Sequence, residues 1–212
     1  MSQKFLDLAG LTVYDGKIKE WIKSSTVDIT NDEIRALFVT VAEGPADNEI
    51  WYTSSDGNIM SPHNIYVFGA NIVSNTYENN RGVITFDGDV TSIGARSFSN
   101  CPGLTSIAIP NSVARIGAYA FEFCSGLTSI TIPNSVTSIE TMGFFECKSL
   151  TSISIPNSVT SIGEWAFKFC KSLNSITYEG TQEQWNAITK GELWNDGVPA
   201  THVQCSDGQV TL

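Results

Sequence analysis

Apolar residues return along this chain at a fixed interval of 23 residues across positions 90–178. The unit reads V-x-x-I-G-x-x-x-F-x-x-C-x-x-L-x-x-I-x-I-P-N-S, and its four copies begin at Val90, Val113, Val136 and Val159. Ile93, Ile116, Ile139 and Ile162 form one column. Phe98, Phe121, Phe144 and Phe167 form another, and Leu104, Leu127, Leu150 and Leu173 a third. Two more close the unit: Ile107, Ile130, Ile153, Ile176, then Ile109, Ile132, Ile155, Tyr178. Exact self-similarity at such a period marks a repeat architecture. One copy alone cannot bury its apolar side, whereas stacked copies share a continuous core.

The pattern inside the unit predicts its elements. In L-x-x-I-x-I the last three positions alternate in, out, in, as in a strand. Pro-Asn-Ser then ends the strand, because proline brings no ladder donor. V-x-x-I is short and β-branched, which predicts a second, shorter strand. The stretch from the Gly column to the Cys column, such as 117–124, is expected to form a short helical turn. Stacked strands should rise about 4.8 Å per coil. The expected fold is therefore a mostly β solenoid with short helical turns and a cap at each end, preceded by a small helical segment.

Four segments follow from this: 1–44 helical, 45–89 a β lead-in and N-cap, 90–178 the repeats, and 179–212 a C-terminal cap. Ile84 and Phe86 are expected under the Ile107 and Ile109 columns as a degenerate first rung. Trp51-Tyr52-Thr53 and Ile65-Tyr66-Val67-Phe68 read as strands between turn signals. Thr181-Gln182-Glu183-Gln184 is a capping-box signature, and His202-Val203-Gln204-Cys205 reads as a late strand before an Asp207-Gly208 turn. Trp185 and Trp194 are read as seals of the last coil, with a carbohydrate platform as the alternative. Leu11, Tyr14, Ile18 and Trp21 share one helical face, too short to be stable alone; they are candidates for attachment or oligomerisation. Thr30 opens a second short helix, and Gly44-Pro45 marks a linker.

Units such as V-T-S-I-G-x-x-A-F-x-x-C-x-S-L-T-S-I-x-I-P-N-S resemble the BspA-like leucine-rich repeats of bacterial surface proteins. The resemblance implies a right-handed leucine-rich-repeat solenoid acting as an adhesin or interaction surface. Residues 178–185, Tyr-x-Gly-Thr-x-x-Gln-Trp, resemble the closing segment of such proteins. The leader around Lys4-Phe5-Leu6-Asp7 and Lys17-Ile18-Lys19-Glu20-Trp21-Ile22 resembles short modules on phage tail or head-fibre proteins of gut bacteria. That implies binding to virion proteins or self-association through the N-terminus. The third copy departs from the unit: Glu140 stands in the Gly column, and Thr141-Met142-Gly143 replaces the small-aromatic-Ala run.

Charge narrows the choice of partner. The formal net charge of −10 opposes counterion-release binding to nucleic acid and docking on anionic lipid. No apolar run reaches the roughly 18 residues of a membrane span. No secretory h-region is visible, so the expected destination is a virion, or a bacterial surface reached after a signal has been removed. Cys101, Cys124, Cys147 and Cys170 keep the repeat spacing and read as reduced core residues, as does Cys205 outside it.

Chemistry is sparse. His63 and His202 stand far apart without metal-ligand spacing. No nucleophile-elbow, HExxH, Walker or dinucleotide motif occurs. Asp56-Gly57-Asn58 and Asp87-Gly88-Asp89 read as turns, with weak calcium binding as the alternative. The expectation is a non-enzyme without metal or cofactor. Hydroxyl columns such as Thr105, Thr128, Thr151 and Ser106, Ser129, Ser152, Ser175 read as strand fillers. The copies disagree most around their turns. Arg96, Tyr119, Met142 and Trp165 share one position; Asn100, Phe123, Glu146 and Phe169 share another. Arg96, Tyr119, Met142, Trp165, Phe123 and Phe169 are the candidate ligand-binding residues, being interface-prone types on a fixed scaffold. The expected function is a binding or adhesion module whose partner is a protein or glycan surface; the alternative is a purely structural virion decoration or spacer without ligand.

Overall fold

The computed structural model describes residues 44–212. The helical face of Leu11, Tyr14, Ile18 and Trp21 and the helix expected after Thr30 lie outside the described residues.

Each coil has three sides. On the first lie the longer strands β4 (Leu104–Ala108), β6 (Ser129–Thr131), β8 (Ser152–Ile155) and β10 (Ser175–Tyr178). Register keeps like with like: Ile107 opposite Ile130, and Ile153 opposite Ile176. On the second lie the two-residue strands β5 (Arg115–Ile116), β7 (Ser138–Ile139) and β9 (Ser161–Ile162), which pair in parallel in that order. Both sides match the expected long and short strands.

The third side differs from expectation. Residues such as 117–124 form hydrogen-bonded turns and not helix. Ala120 N donates to Gly117 O at 3.2 Å, and Cys124 N to Phe121 O at 3.1 Å. Between these, Tyr119 and Phe123 have φ of 60° and 57°. A positive φ at the third residue is the signature of a type II turn. The cause is inter-coil bonding. The N–H groups of Tyr119, Phe121 and Phe123 donate to the carbonyls of Thr141, Gly143 and Phe145 in the next coil, at 3.0, 2.8 and 2.8 Å. A helical turn would point these donors along its own axis. Alternating turns send them across the stack, so the third side carries its own ladder.

Side chains inside the stack also repeat. Phe98, Phe121, Phe144 and Phe167 are fully buried and face one another with centroids 5.1–5.5 Å apart and planes within 12° of parallel. The thiols of Cys124, Cys147 and Cys170 donate to the carbonyls of Phe98, Phe121 and Phe144 at 3.0–3.2 Å. All five cysteines are unpaired and buried. The serine of Pro-Asn-Ser has a task as well. Ser112, Ser135 and Ser158 donate to the carbonyls of Val90, Val113 and Val136 at 2.6–2.7 Å, tying each corner to the coil before it.

The first coil rests on an antiparallel cap. Strand β1 (Glu49–Ser54) lies between β4 and β3 (Arg81–Phe86), and β2 (Ile72–Glu78) forms the outer edge. Ile84 and Phe86 therefore do not lie under the Ile107 and Ile109 columns. Tyr52 is opposite Ile107, while Ile84 is opposite Ile50. Two local causes account for this. Asn79 and Asn80 take φ of 51° and 62°, the type I′ hairpin geometry that asparagine tolerates, so β3 pairs with β2 first. Gly82 leaves its Cβ position to the Tyr52 ring, so β1 can close over β3. Residues 65–68 are bends and not the expected strand. The Phe68 carbonyl accepts from Thr91 N at 2.9 Å, and its ring packs 5.1 Å from Phe86 and 5.9 Å from Phe98, sealing the phenylalanine stack.

Beyond Tyr178 the chain makes one more coil. Helix α1 (Gln182–Ala187) starts with a complete capping box at Thr181. Strand β11 (Thr189–Lys190) joins β9, and the next turn accepts from Trp165 N, Phe167 N and Phe169 N. Strand β12 (His202–Cys205) pairs in parallel with β10, and β13 (Gly208–Thr211) folds back on it. Trp185 and Trp194 are buried, with the Trp194 ring 6.1 Å from Phe167 and 5.8 Å from Trp185. They seal the stack, so neither is a glycan platform.

Candidate functional site

The two columns where the copies disagree are the two columns of positive φ. Arg96, Tyr119, Met142 and Trp165 have φ of 53–60°, and Asn100, Phe123, Glu146 and Phe169 of 54–62°. The left-handed region costs an L-residue roughly 1–2 kcal/mol, and glycine or asparagine takes it most readily. Asn100 fits that rule, as does Gly197 (φ 75°) in the last coil. Tyr119, Met142, Trp165, Phe123 and Phe169 do not. The inter-coil hydrogen bonds hold them there, and their side chains project from the third side.

The structure brings these residues together in two groups. In the first coils the Arg96 guanidinium lies 4.7 Å over the Tyr119 ring. In the later coils the rings form a row. Phe123 meets Phe145 at 5.5 Å, and Phe145 meets Phe169 at 5.8 Å. The Lys168 ammonium lies 5.0 Å from the Trp165 ring and 4.9 Å from the Phe169 ring, and pairs with Asp196 at 3.0 Å. Phe123 is 40% exposed, and Phe145, Trp165 and Phe169 are half-buried. The indole N–H of Trp165 is buried with no acceptor in hydrogen-bond reach among the described residues. Met142 is half-buried in the same column, between Tyr119 and Trp165.

Phe145 and Lys168 escaped the sequence reading. They lie one position before the second variable column, in a column occupied by Ser99 and Glu122 in the earlier copies. The pair Phe144-Phe145 was the available signal: only one of two adjacent phenylalanines can enter the core column. Glu140 keeps the third copy in the stack. Its carboxylate accepts from Ala118 N at 3.0 Å and pairs with Arg115 at 3.2 Å.

Titration inside the stack favours neutral thiols. Burial pushes Cys101 up to about 11, and raises Cys124 and Cys147 further in the same direction. They are core rungs without thiolate reactivity. Asp56 and Asp87 are held below the ordinary carboxylate value by hydrogen bonds from Asn58 and Asn71. Those are turn contacts, with Asn71 N and Nδ2 each 2.8 Å from Asp87.

The sequence pattern of the BspA type leucine rich repeat region, with six copies, matches residues 58–189, more than half of the chain. The chain belongs to that family. Its solenoid is similar to three solved structures. A leucine rich repeat protein of T. pallidum is 29% identical over 56% of this chain and 54% of that one, with a TM-score of 0.49. A leucine rich cell surface protein of Faecalibacterium prausnitzii is 35% identical over 48% and 33%, with a TM-score of 0.40. A leucine-rich repeat protein of Bacteroides ovatus is 31% identical over 60% and 37%, with a TM-score of 0.40. The chain thus spans about half or less of the length of these three proteins. No curated protein matches. Among the described residues no helix is long and apolar enough to cross a membrane.

Proposed function

We propose that this BspA-type chain is a non-catalytic binding module that recognises a partner surface, protein or glycan, through the turn side of its solenoid. One observation carries the reading. Bulky aromatic residues occupy left-handed positions where glycine or asparagine would build the same scaffold with less strain. Backbone strain of this kind gathers where side chains are used for binding. The rings form a continuous half-exposed row, and aromatic residues are the richest source of interface energy. Within this side the Trp165 indole N–H is buried without an acceptor among the described residues, a further cost of about 1–3 kcal/mol.

The row of phenylalanines suits a protein partner better than a glycan, because phenylalanine offers no polar group to a sugar hydroxyl. A net charge of −10 argues against a nucleic-acid partner. Display would be on a bacterial surface or a virion, with Leu11, Tyr14, Ile18 and Trp21 as attachment residues. Immunogold labelling of intact cells and purified phage particles tests the display. Label on neither contradicts it. Label on particles without any cell binding favours a structural decoration instead.

A further inference from the structure

A second surface lies on the first side of the coils, away from the aromatic row. Trp51 of β1 is opposite Ala108 of β4, and Ala108 is opposite Thr131 of β6. One large ring beside two small residues leaves a shallow groove of about 320 Å³. Its lining includes Trp51, Thr53, Arg81, Ser106, Ala108 and Thr131. The indole is already ordered. Its Nε1 donates to Glu49 Oε2 at 2.8 Å, and the Arg81 guanidinium lies 4.5 Å from the ring centre. Binding would therefore spend little entropy on fixing the platform.

We propose that this groove is a subsite for a sugar ring that carries a carboxylate, such as a hexuronic acid. The apolar C–H face of a pyranose matches the indole and the Ala108 methyl group. Its hydroxyls match Thr53 Oγ1, which lies 2.6 Å from Thr105 Oγ1 and 2.7 Å from Ser106 Oγ. Hydroxyls can reverse donor and acceptor roles as a ligand requires. Arg81 selects the charge. Among the described residues it pairs with no carboxylate, although the chain is strongly acidic. Glu49 accepts the indole N–H and forms no ion pair with Arg81. Stacked over the indole, the guanidinium keeps its N–H fork for a carboxylate.

The site is independent of the turn side, and its test separates the two. Saturation-transfer NMR on the full chain would use glucuronic and galacturonic acids against glucose and galactose. The expected result is binding of the uronic acids with Kd on the order of 1 mM, about fivefold or more tighter than their neutral counterparts. Trp51→Ala should abolish the signal. Arg81→Gln, on the exposed hairpin, should erase the preference for the acid, which Arg81→Lys partly restores. Phe145→Ser should leave uronate binding unchanged. Absence of transfer from either uronic acid, equal transfer from acidic and neutral sugars, or an unchanged preference in Arg81→Gln would overturn the assignment.

Discussion

Phe145 stands edge-on to Phe123 across a coil boundary, with ring centroids 5.5 Å apart and planes at 85°. The pair sits on the outside of the stack, while the neighbouring Phe144 is buried within it. Two adjacent phenylalanines in one copy therefore have opposite tasks. Phe145→Ser should cost about 1 kcal/mol of stability, the order of an exposed aromatic pair. Phe144→Ala should cost about 3–5 kcal/mol, because it opens a cavity in the stack. Urea unfolding of both variants checks the contrast, and similar losses would contradict it.

Tyr119 offers a test of the turn geometry. In a helix, glycine is about 1 kcal/mol worse than alanine. In the left-handed region the order reverses. Tyr119→Gly should therefore be more stable than Tyr119→Ala by about 1 kcal/mol. The opposite order, measured by thermal unfolding, would restore the helical turn.

The solenoid was legible because apolar columns repeat in strict register, and strand pairing follows from that register. What the sequence obscured has separate local causes. Helix α1 lies between the fourth and last coils, so Gly191 follows Gly163 by 28 positions where the repeat has 23. That insertion hides the fifth turn from a search by period. Strand β1 was visible as Trp51-Tyr52-Thr53, but its insertion between β3 and β4 depends on Gly82 and the Asn79-Asn80 turn. The variable columns were legible as candidate positions. Their left-handed backbone was not, since tyrosine, tryptophan and phenylalanine carry no signal for positive φ. The grouping with Phe145 and Lys168 depends on lateral packing between coils that column spacing does not specify.

The buried thiols predict an alkaline limit. Below about pH 9 cysteines are protonated in both states, and the folded-state preference for the neutral form is fully present. Above that value the unfolded thiols ionise while Cys101 holds its proton to about 11. Stability should fall as pH rises from about 9 to 11. Thermal unfolding across this range checks the fall, and the cysteines should resist thiol reagents until the chain unfolds. Rapid labelling of the native protein at neutral pH would contradict the core assignment.

Trp194→Ala tests the seal at the far end. It should weaken the last coil by about 3–5 kcal/mol and leave sugar binding at Trp51 intact. Hydrogen exchange of β11 and β12 reads the loss. Unchanged protection there would mean that the ring seals nothing.

The most direct measurement is binding of the full chain and its Phe123→Ser, Phe145→Ser, Phe169→Ser triple variant to arrayed host and bacterial surface proteins and glycans. The wild type should bind at least one target, and the folded triple variant should lose about tenfold or more in affinity. Equal binding by both proteins, or no target for the wild type, would contradict the turn side as a recognition surface.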